Sequence, residues 1–263
     1  MKKRRWSTFT QQFMAHLTAS SAVLGLMGIV ISAIGATISK PQLLYIGFGT
    51  VLLVILYAVC RSIPPKLKSA SEFVGQDIAI DELDDIFPPI LKVGIVGSTQ
   101  SGKTTFLRQA LQKAPETTRT NRVYASIVAL QKAPTKYIAL LDGDGDQFSQ
   151  QFQVAEHADL LLVFLDHSLG NDSIEKSTVR IEEHDRFIKQ LISHIKNGRI
   201  RRAHVLLNKR DLWETADDVS ELKQWFEVHI QQLRQLGCIE HVTSDLHSNL
   251  ISTDIGKIIR IIS

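Results

Sequence analysis

Residues 92–105, KVGIVGSTQSGKTT, constrain the chain more than any other stretch. Lys92, Val93, Gly94, Ile95 and Val96 form a short apolar, β-branched run that reads as a strand. Gly97, Ser98, Thr99, Gln100, Ser101, Gly102, Lys103 and Thr104 then fit G-x-x-x-x-G-K-[ST] at every fixed position. The two glycines let the backbone turn tightly around an anion with no Cβ in the way. Successive backbone N–H groups, up to the N-terminus of the next helix, point at phosphate oxygens, helped by the helix dipole. Lys103 is placed to bridge the outer phosphates, Thr104 offers a hydroxyl to Mg²⁺, and Thr105 continues the first helical turn. A chance Gly/Ser loop beside a lysine would need neither the apolar strand before it nor the amphipathic segment 106–111 after it.

At 263 residues the chain holds one large domain, or a domain with an accessory part. A formal charge of +3 is mild and does not by its balance alone imply a nucleic-acid partner, and none is expected. The basic excess is uneven, because Lys2, Lys3, Arg4 and Arg5 open the chain. The two cysteines, Cys60 and Cys238, lie in different surroundings and suggest no disulfide framework. No CxxC and no Cys/His spacing reads as a zinc site.

Phe9, Phe13 and Leu17 give residues 6–17 the spacing of a short amphipathic helix. Two runs without charge come next, 19–38 and 43–60, separated by Ser39, Lys40, Pro41 and Gln42. Each is close to the ~20 residues that a helix needs to cross a hydrocarbon core of ~30 Å. The expectation is a basic N-terminal segment, 1–18, and a transmembrane helical hairpin, 19–60. Arg61, Lys66 and Lys68 follow the hairpin and only Lys40 sits in its turn, so both ends are expected on the cytoplasmic side. A buried helix pair in a soluble fold is one competing reading. A secretory signal, with small residues near Ala33 and Gly35, is another. The second apolar run and the phosphate loop, which needs cytosolic nucleotide, argue against the signal. Ser21, Gly25, Gly28 and Ser32 line one face of the first run, and Gly47 and Gly49 in the second can meet it. Packing within the hairpin uses this face; a homodimer is the alternative use. Neither run contains an ionisable residue, so the hairpin reads as an anchor and not as a transport path.

Residues 61–87 read as a linker, with Pro64 and Pro65 and an acidic patch at Asp77, Asp81, Glu82, Asp84 and Asp85. The stretch 81–86 suits a short helix docked on the domain C-terminal to it. From residue 88 to 263 strand and helix patterns alternate as in an α/β domain. Strands are expected at 91–96, 123–130, 137–141, 159–165, 203–207 and 238–242. Helices are expected at 103–113, 147–156, 174–196, 221–236 and 249–262. The connection around Ala133 and Pro134 is too short for a crossover, so 123–130 and 137–141 form an antiparallel hairpin. The fold class is therefore α/β: a six-stranded, mostly parallel sheet with one antiparallel hairpin, preceded by the transmembrane α-hairpin.

Two further motifs lie beyond the phosphate loop. Asp142, Gly143, Asp144 and Gly145 end a strand with D-x-x-G, and Asn208, Lys209, Arg210 and Asp211 end a later one with N-K-x-D. An Asp211 carboxylate accepts from the N1–H and the exocyclic amine of guanine. Adenine offers no donor at those places, and each hydrogen bond to a charged group is worth ~1.5–3 kcal/mol. With these motifs in this order, residues 88–263 resemble the Ras-like small GTPases. The resemblance implies a Ras-like P-loop fold and GTP/GDP with Mg²⁺ as the bound cofactors. It implies that Gly97 to Thr105 hold the phosphates, that Thr104 and Asp142 serve Mg²⁺, the latter through water, and that the Gly145 N–H meets the γ-phosphate. It gives Asn208, Lys209 and Asp211 to the base. The effector-loop threonine falls best on Thr120, with Thr117 and Thr118 in the same loop. The last base-contacting box falls on Thr243, Ser244 and Asp245, so Ser244 is a candidate, with Asp where the family has Ala.

The largest departure comes after Gly145, where the family places a Gln that orients the attacking water. Here Asp146 occupies the position and Gln147 comes next. A calcium loop starting at Asp142 fails at its twelfth position, which is Gln153. The expected function is a membrane-anchored GTP-binding protein that hydrolyses GTP slowly as a molecular switch, with catalysis assigned to Lys103, Gly145, Asp146 and Gln147. A protein effector or activator is implied as partner. One alternative is a nucleotide-holding docking subunit with little turnover, similar in layout to the β subunit of the signal-recognition-particle receptor. An ATP-using P-loop protein is the other.

Overall fold

The computed structural model describes residues 9–18, 20–38, 40–64, 66–111, 123–130, 134–143, 147–168, 176–195 and 200–262. The chain divides into two compact units, 1–68 and 69–263.

The first unit is helical. Helix α1 (Phe9–Thr18) is followed by α2 (Ser20–Thr37) and α3 (Pro41–Ser62). Pro41 opens α3 at a position where its missing N–H is not needed. Helices α2 and α3 pack antiparallel: Gly28 faces Gly47, and Gly25, earlier in α2, faces Val54, later in α3. A Cβ added at Gly47 would lie 2.5 Å from the Gly28 carbonyl, so the small residues bring the two backbones together. Gly49, also expected at this contact, has open space beside it. The outer faces are apolar as well, with Phe48 69% and Leu53 68% exposed. Helix α3, at 22 residues, is long and apolar enough to cross a membrane. Helix α1 and residues 23–37 of α2 meet that test only when taken as one span bent by 64°.

The second unit is an α/β fold around a seven-stranded sheet. Its strands are β1 (Asp77–Ile78), β2 (Leu91–Gly97), β3 (Tyr124–Leu130), β4 (Lys136–Asp142), β5 (Leu160–Leu165), β6 (Arg202–Leu207) and β7 (His241–Leu246). The spatial order is β1-β3-β4-β2-β5-β6-β7. Strands β4, β2, β5, β6 and β7 run parallel, and β3 and β4 form the expected antiparallel hairpin, with Tyr124 opposite Asp142 and Leu130 opposite Lys136. Every residue of β5, LLLVFL, is buried, as a central parallel strand covered on both faces requires. On one face the cover comes from α5 (Phe148–His157), α6 (Thr178–Ile195) and α8 (Val219–Arg234), through Phe152, Phe187, Leu191, Ile230 and Leu233. On the other it comes from α4 (Lys103–Leu111) and α9 (Ser252–Ile262), through Phe106, Leu107, Ile258 and Ile262. The short α7 (Arg210–Trp213) comes after β6.

Three features differ from expectation. The sheet gains β1, antiparallel to β3, so it has seven strands where six were expected. Much of the expected linker is domain: Ala70, Ile78, Ile80, Leu83 and Ile86 are buried in the main core, and the short docked helix expected over 81–86 is a 3-10 helix at Ile80–Asp85. The last strand is His241–Leu246, not 238–242. As a sheet edge, β7 tolerates Thr243, Ser244 and Asp245, whose polarity suggested a loop.

Because β4, β2, β5, β6 and β7 are parallel, their C-terminal ends share one edge of the sheet. The phosphate loop, Asp142, Asp166, the N-K-x-D turn and residues 247–249 all lie at or just beyond those ends. Such an edge is where open α/β sheets bind ligands.

Candidate functional site

The phosphate loop joins β2 to α4. Gly97 has φ +151° and Gly102 φ +97°, and a Cβ at Gly102 would collide with the side chains of Asn208 and Asn249. Gln100 also takes a left-handed conformation, φ +62°, and is exposed. Lys103 folds back over its own loop: its Nζ donates to the carbonyls of Gly97 at 2.5 Å and Ser98 at 2.8 Å. Ser98 and Ser101 are buried, Thr99 is half-buried, and Thr104 and Thr105 stand exposed on the first turn of α4.

The loop is gripped from outside by side chains of four other segments. Asn208 Nδ2 donates to the Ser101 carbonyl at 2.8 Å, Asn249 Nδ2 to the Gly102 carbonyl at 2.9 Å, and Arg180 Nη2 to the Thr99 carbonyl at 2.6 Å. Gln151 of α5, fully buried, accepts from the Gly97 N–H at 3.0 Å and donates to the Gly143 carbonyl at 2.7 Å. It therefore ties the start of the phosphate loop to the residue after Asp142. Two buried oxygens here, Ser101 Oγ and Asn208 Oδ1, have no hydrogen-bond partner among the described residues. Unsatisfied buried polar atoms are rare, and a ligand or water is their usual complement.

The N-K-x-D turn leaves β6. The Asn208 N–H donates to the Leu165 carbonyl at 2.7 Å, and Trp213 Nε1 donates to the Asn208 carbonyl at 2.8 Å. Lys209 sits at φ +60°, with its Nζ 2.7 Å from Asp166 Oδ2 and 2.9 Å from the Ser168 carbonyl. Asp211 is exposed and accepts a hydrogen bond from the buried Ser248 hydroxyl. Ser244 is not gathered to this turn: it lies inside β7 opposite Val205, and Ser248, beyond the longer strand, holds the place beside Asp211. Asp245 turns instead to Lys257 and His204.

Asp142 ends β4, is 1% exposed, and accepts from the Gly143 N–H at 3.0 Å. Among the described residues no cluster of three or more His, Cys, Asp or Glu side chains forms a metal cage. One carboxylate and one hydroxyl suit Mg²⁺, which keeps several waters and relies on substrate phosphates. Gln147 caps α5, is exposed, and accepts from Gln150 Nε2 at 2.8 Å. Thr120, Gly145 and Asp146 lie outside the described residues, as do Thr117, Thr118 and Asp144.

Beneath the loop lies a buried charged cluster. Asp166 Oδ1 meets Arg180 Nε at 2.5 Å and His184 Nε2 at 2.7 Å, and Arg180 Nη1 meets Glu183 at 2.8 Å. Ser98 Oγ is 3.4 Å from His184 Nδ1. Burial pushes the His184 imidazole down, further than Asp166 pulls it up. Burial alone would raise the Asp166 carboxyl, but the hydrogen bond from His184 and the Arg180 guanidinium hold it well below the usual carboxylate range. The sequence carried a faint signal for this cluster. Arg180 and His184 lie four apart on the buried stripe of α6, and Asp166 directly follows an all-apolar strand.

His204 and His247 are also lowered by burial, against the opposing pull of Asp245 on the first and of Asn249, Asp254 and Asp245 on the second. The native state keeps all three imidazoles neutral below the unfolded value of ~6.5, so it binds fewer protons than the unfolded chain. Stability should therefore fall as pH drops from about 6.5, by up to ~1.4 kcal/mol per pH unit for each histidine. Urea midpoints of the full chain in detergent between pH 7.5 and 5.5 measure this. A flat profile would mean that the imidazoles take up protons in the native state as they do in the unfolded chain.

No protein-family model and no curated protein matches the chain.

Proposed function

We propose that the chain is a membrane-anchored GTP-binding protein of Ras-like type. It binds GTP with Mg²⁺ through the second unit, hydrolyses it slowly as a switch, and is held to the membrane by the α2–α3 hairpin, with both ends cytoplasmic. The observation that carries this reading is the bond from Asn208 Nδ2 to the Ser101 carbonyl. It joins the base-reading turn to the phosphate loop across 107 positions of sequence, so two motifs found separately belong to one site. Further support comes from the antiparallel hairpin next to β2 in the sheet, which the resemblance implies. The outward-facing Leu24, Met27, Phe48, Leu52 and Leu56 support the anchor, since lipid is the solvent that such surfaces fit. A second reading, a docking subunit that holds GTP with little turnover, draws on the engagement of Gln147 with Gln150.

Competition binding by the full chain in detergent, with Mg²⁺ present, tests the assignment. GTP and GDP should displace a labelled guanine nucleotide, and ATP should not; equal competition by ATP would remove the guanine assignment. Membranes carrying the full chain should retain it through carbonate extraction, and release by high salt alone would sink the hairpin reading.

A further inference from the structure

We infer that Arg180 is a positioning residue of the phosphate loop and that Asp166 couples it to the base-reading Lys209. This rests on the proposed triphosphate site. In a trans peptide the C=O and N–H point in opposite directions. A side chain that holds a loop carbonyl outward therefore turns the next N–H inward. Asn208 does this for the Ser101–Gly102 peptide and Arg180 for the Thr99–Gln100 peptide, whose carbonyl it meets at 2.6 Å. Gln100 is left-handed without being a glycine, a conformation that costs energy and must be imposed by its surroundings. Arg180 imposes it from one side of that peptide.

Arg180 is itself fixed. It is fully buried, with Nε on Asp166 Oδ1, Nη1 on Glu183 and Nη2 on the loop. Only a planar fork reaches three acceptors in this way. Burying a guanidinium is costly unless every partner is in place. The other oxygen of Asp166 faces Lys209 Nζ at 2.7 Å. One carboxylate thus ties α6, and through it the phosphate loop, to the N-K-x-D turn. A base that settles Lys209 also settles the loop, and a loop closed on phosphates settles the turn.

The test is binding of GTP and GMP by the full chain in detergent with Mg²⁺, comparing wild type with Arg180→Lys. A lysine keeps the charge but reaches one acceptor, so the Thr99–Gln100 peptide loses its hold. GTP affinity should fall about 10-fold or more, the scale of one hydrogen bond to a charged group. GMP, which has no β- or γ-phosphate for the Gln100 N–H, should change by about 2-fold at most on the same argument. The ratio of the two affinities is the readout, because a general loosening of the fold would lower both alike. An unchanged ratio, or a parallel loss of both nucleotides with a lower melting temperature, overturns the inference. If Arg180→Lys does not fold, Arg180→Gln, which leaves Asp166 on Lys209 in place, is read by the same ratio. Failure of the wild type to bind GTP would be a different result: it sinks the nucleotide reading itself.

Discussion

Asp211→Asn is expected to cost the full chain its preference for GTP and to transfer it to xanthosine triphosphate. The wild-type carboxylate accepts from two donors on guanine. An amide in its place keeps one acceptor and turns a donor toward the second position, where guanine also presents a donor. Xanthine has a carbonyl there, which accepts. Sites that hydrogen-bond their substrate reject a mismatched analogue by ~10⁴ or more, so GTP affinity should fall by a factor of that order. Ser248 makes the substitution structurally mild, since its hydroxyl donates to Asp211 Oδ1 and can donate equally to an amide oxygen. Ser248→Ala removes this orienting bond together with the one that the hydroxyl accepts from the Leu250 N–H at 3.2 Å, and a loss of about 10-fold or less in GTP affinity is expected. Competition of GTP, xanthosine triphosphate and ATP against one labelled nucleotide reads all three proteins. If Asp211→Asn binds GTP as the wild type does, the carboxylate does not read the base.

The parts of the site that could be read from the sequence are those carried by contiguous residues. Gly97 to Thr104 and Asn208 to Asp211 each announce their chemistry within a few positions, and the structure places both at one edge of the sheet. The all-apolar run of β5 was legible as a buried strand for the same reason. What escaped was assembled across elements. Asp166 and Arg180 come from separate segments, each alone reads as an ordinary charged residue, and their link to Lys209 exists only in the fold. Within residues 69–87 the short helix over 81–86 was legible, but the two-residue strand β1 carries no period of 2, so Ala70 and Ile78 looked like scattered apolar residues. Ser244 was assigned to a loop because a polar edge strand resembles one when its neighbours are unknown.

Intrinsic hydrolysis by the full chain should be slow, at or below the ~10⁻⁴ s⁻¹ order of an unassisted small GTPase. With Asp146 where the family has Gln, the side chain at that position can accept from an attacking water but cannot donate to the γ-phosphate. Its charge also opposes that of the triphosphate. Two unit charges ~4 Å apart repel by about 4 kcal/mol at an effective dielectric of ~20, more than one aligned hydrogen bond returns. The Gln147 side-chain oxygen and the Gln151 amide are engaged elsewhere. Gln147 is bonded to Gln150, and Gln151 is buried between Gly97 and Gly143. Gln147→Ala should therefore leave the rate unchanged, and Asp146→Ala, which removes the opposing charge, should leave it equal or raise it. A protein partner that supplies an arginine is the route to faster turnover, since such a residue offsets the charge that Asp146 adds. Single-turnover hydrolysis by the full chain in detergent, with the two variants alongside, decides the matter. Turnover near about 1 s⁻¹ without a partner, far above the unassisted scale, would sink the expectation. Loss of that rate in Gln147→Ala alone would place Gln147, and not Asp146, opposite the attacking water.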